Sequence, residues 1–429
     1  MNARKENRTL PYALIVKGIA VGCFAGLTAV VYRKLLSVAE TVVFEAAAAL
    51  RENVILILVL IPAALLIGFL ISLLLRFEPM ISGSGIPQIE GEANGKLDQK
   101  WRRVLPAKLA AGVLASLGGL SLGREGPSIQ LGGMCGKGVA EVLHRKEDER
   151  TLMICGAGAG LSAAFNAPFA GVLFCLEEIQ KNFSAPLFLT VMIASLCGDL
   201  VSSMVFGFSP SFDFELAHTL SLPSYGWIIG LGILSGAAAA FYNFVTLKAQ
   251  IWYSKLPFLK PHQYVYVPLL LSVAVMFFVP EVLGSGHVMT QALEYMPGAL
   301  RTILVLLTVK FVFSILCFGS GAAGGIFFPM LVLGSYLGAA YGNVYAQLSG
   351  APLIEINNFI ILGMAALFAG IVRAPLTGIV LIMEMTGGMP HLLSLTLVSV
   401  TAYLTAELLG AKPIYESLLE RLLEKQKKQ

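Results

Sequence analysis

The chain is short of charge. Lys, Arg, Asp and Glu make up 13% of its 429 residues, well below the roughly 25% of a soluble domain, so it cannot clothe a water-facing surface. Cysteine is scarce too: Cys23, Cys135, Cys155, Cys175, Cys197 and Cys317 form no CxxC pair and all lie in apolar stretches. That excludes a thiol metal site or disulfide framework and reads as six small core residues. The five histidines (His144, His218, His262, His287, His391) show no metal-ligand spacing. Without an HExxH set or a nucleophile–base cluster, no metal, cofactor or enzymatic activity is expected. A net charge of +4 gives no case for a nucleic-acid partner. Short alternating apolar segments are missing as well, which excludes a β-barrel.

What is present is apolar sequence. Hydrophobic residues reach 56% and mean hydropathy is +0.78. Several of the runs between Ile15 and Leu409 exceed the ~20 residues that span a bilayer. The fold class is an all-α polytopic membrane protein, a single transmembrane transport domain over residues 1–429. Its 44 glycines and 20 prolines suit closely packed, interrupted membrane helices. The start, "MNARKENRTLPYALIVKG", has no small-residue cleavage site and reads as a retained end. Arg4, Lys5 and Arg8 precede the first span; Arg421, Lys425, Lys427 and Lys428 follow the last; Lys96, Lys100, Arg102 and Arg103 fill one loop. The positive-inside rule then puts both termini in the cytoplasm, with an even number of crossings. The mixed-sign loop at 144–150 gives no orientation.

The chain repeats itself. "CGAGAGLSAAFNAPFAGVLFCLEEI" (155–179) lies over "LGMAALFAGIVRAPLTGIVLIMEMT" (362–386) at an offset of 207, which puts Glu177 on Glu384. "GREGP" (123–127) falls on "GIFFP" (325–329), Lys108 on Lys310, and "GSGIP" (83–87) on "GSGHV" (284–288). A duplication is the economical explanation, with repeats at approximately 15–205 and 225–412 and a short cytoplasmic tail at 416–429. Glycines and a proline inside "GSGIP", "GREGP" and "GIFFP" mark helices that begin within the bilayer, because proline is tolerated in a first helical turn. Interrupted helices favour two inverted-topology repeats whose half-helices meet near the midplane.

Such a meeting point has a preferred ion. A helix N-terminus offers unpaired N–H groups and about half a positive charge. One terminus contributes ~0.3–2 kcal/mol against several for dehydrating an ion; three or four converging, with a hydroxyl, can hold an anion. A cation would need carbonyls or carboxylates instead.

"GSGIPQIEG", "GREGPSIQLGG" and "GGIFFPMLVLG", in that order, with "FNAPFAGVLFCLEE", "RAPLTGIVLIMEMT" and a late "KPIY", resemble the CLC family of chloride channels and chloride/proton antiporters. The resemblance runs at motif level from Gly83 to Tyr415. It implies a homodimer with one pore per subunit, in a short form without the large cytoplasmic regulatory domains, of prokaryotic inner-membrane type. It implies hydroxyls of Ser84 and Tyr415 and backbone amides of Ile326 and Phe327 around a central chloride. Amides around Gly123, Arg124 and Gly126 would face an outer position. Ser84 matches the chloride-preferring members.

Glu125 then acquires a role: an ionised carboxylate is itself an anion and can occupy a chloride position, and protonation releases it. In the family this glutamate is the gate. The resemblance makes Glu178 the inner proton acceptor, which many channel members lack, and leaves Glu177 as shared scaffold. The expectation is a proton-coupled chloride antiporter; a passive chloride channel of the same fold is the alternative. Lys108 and Lys310 either set a positive field for anions or snorkel or pair with a carboxylate. Arg124 and Arg373 are expected to pair or bond backbone locally, Glu90 to form an ion pair near the cytoplasmic face, and Phe327 and Phe328 to pack or wall the pore.

Overall fold

The computed structural model describes residues 12–212, 214, 220–296 and 298–427; Arg4, Lys5, Arg8, His218 and Lys428 lie outside them. Seventeen α-helices occur in this range. The first eight are α1 (Tyr12–Glu52), α2 (Ile57–Phe77), α3 (Ile86–Ala93), α4 (Trp101–Leu117), α5 (Glu125–Val142), α6 (Glu149–Phe165), α7 (Pro168–Phe174) and α8 (Ala185–Phe206). The next eight repeat the order: α9 (Tyr225–Ser254), α10 (Tyr266–Phe278), α11 (His287–Ala292), α12 (Leu300–Gly319), α13 (Phe327–Ser349), α14 (Glu355–Val372), α15 (Pro375–Thr386) and α16 (Leu392–Leu408). The last helix, α17 (Ile414–Lys427), closes the chain. Among the described residues eight helices are long and apolar enough to cross a bilayer, so this is a multi-pass membrane protein. The helix starts fall where the glycine–proline motifs placed them, but the lengths differ. α3 and α11 have 8 and 6 residues, whereas α5 and α13 run for 18 and 23.

Contacts at the positions aligned by the sequence repeat come in matched pairs. Gly123 N–H donates to Gly325 O at 2.7 Å, and Gly325 N–H donates back to Gly123 O at 2.8 Å. Glu177 accepts from Leu376 N–H and Thr377 N–H at 3.2 and 2.7 Å, capping α15. Its counterpart Glu384 accepts from Phe169 N–H and Ala170 N–H at 3.1 and 2.8 Å, capping α7. Each repeat supplies the carboxylate that completes the other's broken helix. The first turn of a helix has N–H groups with no intrahelical acceptor, and lipid offers none, so the caps meet an obligatory need. This is the scaffold role expected for Glu177.

Close packing explains many of the glycines. α5 crosses α6 where Gly132 and Gly156 face each other, and a Cβ on either would overlap the other's carbonyl. α13 crosses α14 in the same way at Gly334 and Gly363. Small residues let membrane helices approach backbone to backbone.

One expectation needs correction. The cysteines are not all core residues: Cys23 is exposed and Cys197 is partly so, because an apolar neighbourhood in a membrane protein includes its lipid-facing surface. The short tail reads in the sequence as the end of a helix, and it is the body of α17, where Ser417, Leu418 and Leu419 are buried. Arg421 also donates to Leu247 O at 2.6 Å.

Replacing Gly132 with Val forces backbone apart at the α5–α6 crossing and is expected to destabilise by about 3 kcal/mol, the upper end for overpacking. Gly226 has open space around it, so Gly226→Ala should change stability by no more than about 0.5 kcal/mol. Thermal unfolding in detergent checks both; an unaltered midpoint for Gly132→Val would refute the crossing.

Candidate functional site

Three helix beginnings meet around Gly126. A Cβ there would lie 2.9 Å from Ser84 O, and a Cβ on Gly325 would lie 3.3 Å from Gly126 N. The starts of α3, α5 and α13 are therefore in contact. The first intrahelical bond of α5 runs from Ser128 N–H to Arg124 O, and that of α13 from Met330 N–H to Ile326 O. The amides of Arg124, Glu125 and Gly126, and of Ile326, Phe327 and Phe328, precede those bonds and have no intrahelical acceptor. Pro127 and Pro329 close the two turns without adding an N–H that needs one.

Ser84 is buried ahead of α3. Gly83 and Gly85 flank it with φ of 68° and 94°, a left-handed backbone that glycine adopts without a side-chain clash. Its hydroxyl accepts from Ile86 N–H at 3.2 Å. Lys108 fixes this loop by donating to Ile81 O and Gly83 O at 2.8 and 2.6 Å. Lys310 does the same for the second repeat, to Val282 O and Gly284 O at 2.9 and 3.0 Å. Both lysines are fully buried. Neither snorkels nor pairs with a carboxylate; each is spent on two loop carbonyls, which corrects that expectation.

Tyr415, in the first turn of α17, has 0% exposure, and its Oη has no hydrogen-bond partner. Its ring meets Phe174 edge-on at 6.5 Å, and Phe174 meets Phe327 at 5.8 Å. Phe327 also packs on Phe165 and Phe368 at 5.3 and 4.9 Å. An aromatic shell thus surrounds the start of α13, with one unpartnered hydroxyl among the rings. Sequence reading missed Phe165, Phe174 and Phe368. Phe165 and Phe174 fall on Val372 and Leu381 in the other repeat, so the comparison of halves gave no aromatic signal.

Glu125 is 0% exposed and neither carboxylate oxygen has a hydrogen-bond partner. The side chain folds back over its own helix start: a Cβ on Gly123 would lie 2.6 Å from Glu125 Oε2 and 3.0 Å from Phe328 N. Its nearest cation is Arg124, whose Nε lies 3.6 Å from Oε1. Arg124 also points an Nη2 at Ala164 O, 3.5 Å away. Arg373 bonds Tyr403 O and Ala411 O at 2.6 and 2.8 Å, so both arginines act locally, as expected.

Glu178 stands apart from this cluster. It is 3% exposed, with Oε1 unpartnered, on a π turn (Cys175–Ile179) that ends the α7 segment. Such turns recur at functional sites. Lys181 does not pair with it, but bridges Glu90 at 2.9 Å and Glu416 at 3.5 Å. Glu90 is thus the ion-pair partner expected, and Glu178 is not the solvated edge residue its neighbours suggest. Among the described residues one carboxylate group, Glu92, Asp98 and Glu149, is close enough for a metal. Lys137 already fills it, bonding Glu92, Asp98 (2.5 Å) and Gln99 O (2.7 Å).

The chain matches the family model for voltage gated chloride channels over residues 63–407. It is 35% identical to the H(+)/Cl(-) exchange transporter ClcA of Vibrio cholerae serotype O1, over 98% of this chain and 92% of that protein. The ClcA of Klebsiella pneumoniae is also 35% identical, over 97% and 90%. Among solved structures, a slow cyanobacterial Cl-/H+ antiporter superposes with a TM-score of 0.90 at 33% identity, covering 96% of this chain and 99% of that one. A CLC-type fluoride/proton antiporter shares the fold at a TM-score of 0.75 and 22% identity.

Because Tyr415 Oη bonds nothing, Tyr415→Phe is expected to leave the unfolding midpoint of chloride-free protein within about 0.5 kcal/mol of the parent. Lys108→Met strands two buried carbonyls and should lower it by about 1–3 kcal/mol. Equal losses in the two variants would show that the phenol serves the fold.

Proposed function

The chain belongs to the voltage-gated chloride channel family, and on that footing we propose that it is a proton-coupled chloride antiporter. It carries anions as a transporter and catalyses no covalent reaction. The observation that carries the reading is Glu125, a carboxylate without a hydrogen-bond partner, beside Arg124 and buried where the first-turn amides of α5 and α13 converge.

The mechanism follows from competition for those amides. Chloride and an ionised Glu125 are both anions and cannot share one position. Ser84, Tyr415 and the amides of Ile326 and Phe327 would hold the central chloride, and those of Gly123 to Gly126 the outer position. When Glu125 takes a proton it loses its attraction to the amides and leaves the outer position to chloride. Glu178 is the inner proton acceptor: a second buried carboxyl, beyond Tyr415, beside a surface that carries Lys181 and Glu416. An intramembrane ionisable residue is costly and is kept for function. A channel needs one gate, whereas a carboxyl on each side of the anion position makes proton and chloride movements interdependent.

The repeats would be inverted about an axis through the Gly123–Gly325 pair, whose mutual bonds are antiparallel. Lys17 pairs with Asp148, and Lys137 joins Glu92 to Glu149. The face they define would be cytoplasmic, together with both termini, in the inner membrane of a prokaryotic cell. Assembly as a homodimer, one pore per subunit, rests on the family resemblance.

In liposomes, an imposed chloride gradient should drive protons uphill; a chloride flux that moves no protons would leave the passive channel. Glu178→Gln should stop proton flux and spare chloride flux. Glu125→Ala should give chloride flux that no longer depends on protons. Retained coupling in either variant would remove that residue from the pathway.

A further inference from the structure

Glu40 is a half-buried carboxylate in the last third of α1. Its Oε1 accepts from Ser285 N–H at 3.0 Å, in the loop that corresponds to the one bearing Ser84. The two halves thus differ at matched positions: the first loop opens toward the anion site, and the second carries a tethered carboxylate. Glu40 also lines a cavity of ≈ 20 Å³ with Tyr32, Ser116, Gly123, Arg124 and Ser285. That volume accommodates about one water. Gly123, at its inner wall, is the residue against which Glu125 Oε2 rests.

The cavity lies on the far side of Glu125 from Glu178. Lys17 and Glu40 are separated by 23 residues of one helix, or about 34 Å. Lys17 pairs with Asp148 at the face that also carries Lys137, Glu92 and Glu149. Glu90, two residues before Glu92 on α3, ties Lys181 and the surroundings of Glu178 to that same face. The ionisable groups around Glu40 are Arg124 just ahead of α5, Glu125 at the start of α5, Lys310 from α12 and Tyr32 from α1 itself. With Lys310 committed to two carbonyls and Tyr32 a neutral phenol, Glu40 and Glu125 are the carboxyls of this group.

We propose that Glu40 is the outer proton relay of the exchange cycle, a counterpart to Glu178 on the other side. The inference rests on the antiport reading. Glu40 Oε2 takes a proton from the outer solution while Oε1 keeps its bond from Ser285. The cavity water then gives a proton to the Glu125 carboxylate and recovers one from Glu40. One O–H bond forms at Glu125, one breaks at Glu40, and the water and the Glu40 carboxylate are restored. In reverse the same steps release a proton outward.

Glu40→Gln separates the relay from a structural role, since the amide oxygen still accepts from Ser285 and only the exchangeable proton is lost. Proton-coupled chloride exchange in liposomes, followed as both fluxes, should fall roughly a hundredfold, at the low end of what a positioned acid–base group supplies. The chloride-to-proton ratio should stay as in the parent. Combined with Glu125→Ala, where chloride moves without protons, Glu40→Gln should leave chloride flux unaltered. Full-rate coupled exchange in Glu40→Gln would overturn the relay alone, as would an equal slowing of chloride in the Glu125→Ala background. Absence of proton movement in the unaltered protein would remove the antiport reading and the relay with it.

Discussion

Gly123 and Gly325 exchange two backbone hydrogen bonds, and the starts of α5 and α13 meet at that pair. Each glycine immediately precedes a helix whose first-turn amides lack intrahelical acceptors, so joining the two backbones brings both sets of amides to one place. In water such amides would be solvated and the arrangement would mean little. In a hydrocarbon interior an unsatisfied N–H is expensive, and a dehydrated anion or a carboxylate is the partner that settles the cost. Lys108 and Lys310 hold the two flanking loops by their carbonyls.

The symmetry stops where the chemistry starts. Reciprocal caps, paired lysines and paired glycine crossings are common to both halves. Glu125 falls on Phe327, Ser84 meets Ile86 N–H while Ser285 holds Glu40, and the aromatic shell draws Phe165 and Phe174 from one half and Phe327 and Phe368 from the other. The matched helix starts are thus dressed with different side chains, and on the reading proposed above those differences are what distinguish the two ends of the path.

Much of this frame was legible because glycine and proline have few reasons to recur inside apolar sequence. The starts of α3, α5 and α13 follow from them. Glu177 and Glu384 announced a scaffold by occupying matched positions. The partners of Lys108 and Lys310 were not legible, since a lysine in an apolar helix can be satisfied in several ways and the carbonyls it takes belong to a distant loop. Glu40 gave no sign either: a lone glutamate on a long helix reads as surface until folding lays Ser285 against it. Cys23 misled for a related reason, because in lipid the outside of the protein is as apolar as its core.

The exchanged caps bear on how the protein is made. Glu384 follows Phe169 by 215 residues, so α7 leaves the ribosome long before the carboxylate that completes it exists. Until then its leading amides must borrow acceptors from water, lipid headgroups or the insertion machinery, and α15 finds Glu177 already waiting. The earlier half is therefore the one that must be sheltered during biogenesis, and severing the gene between the halves would yield two fragments that are each unfinished.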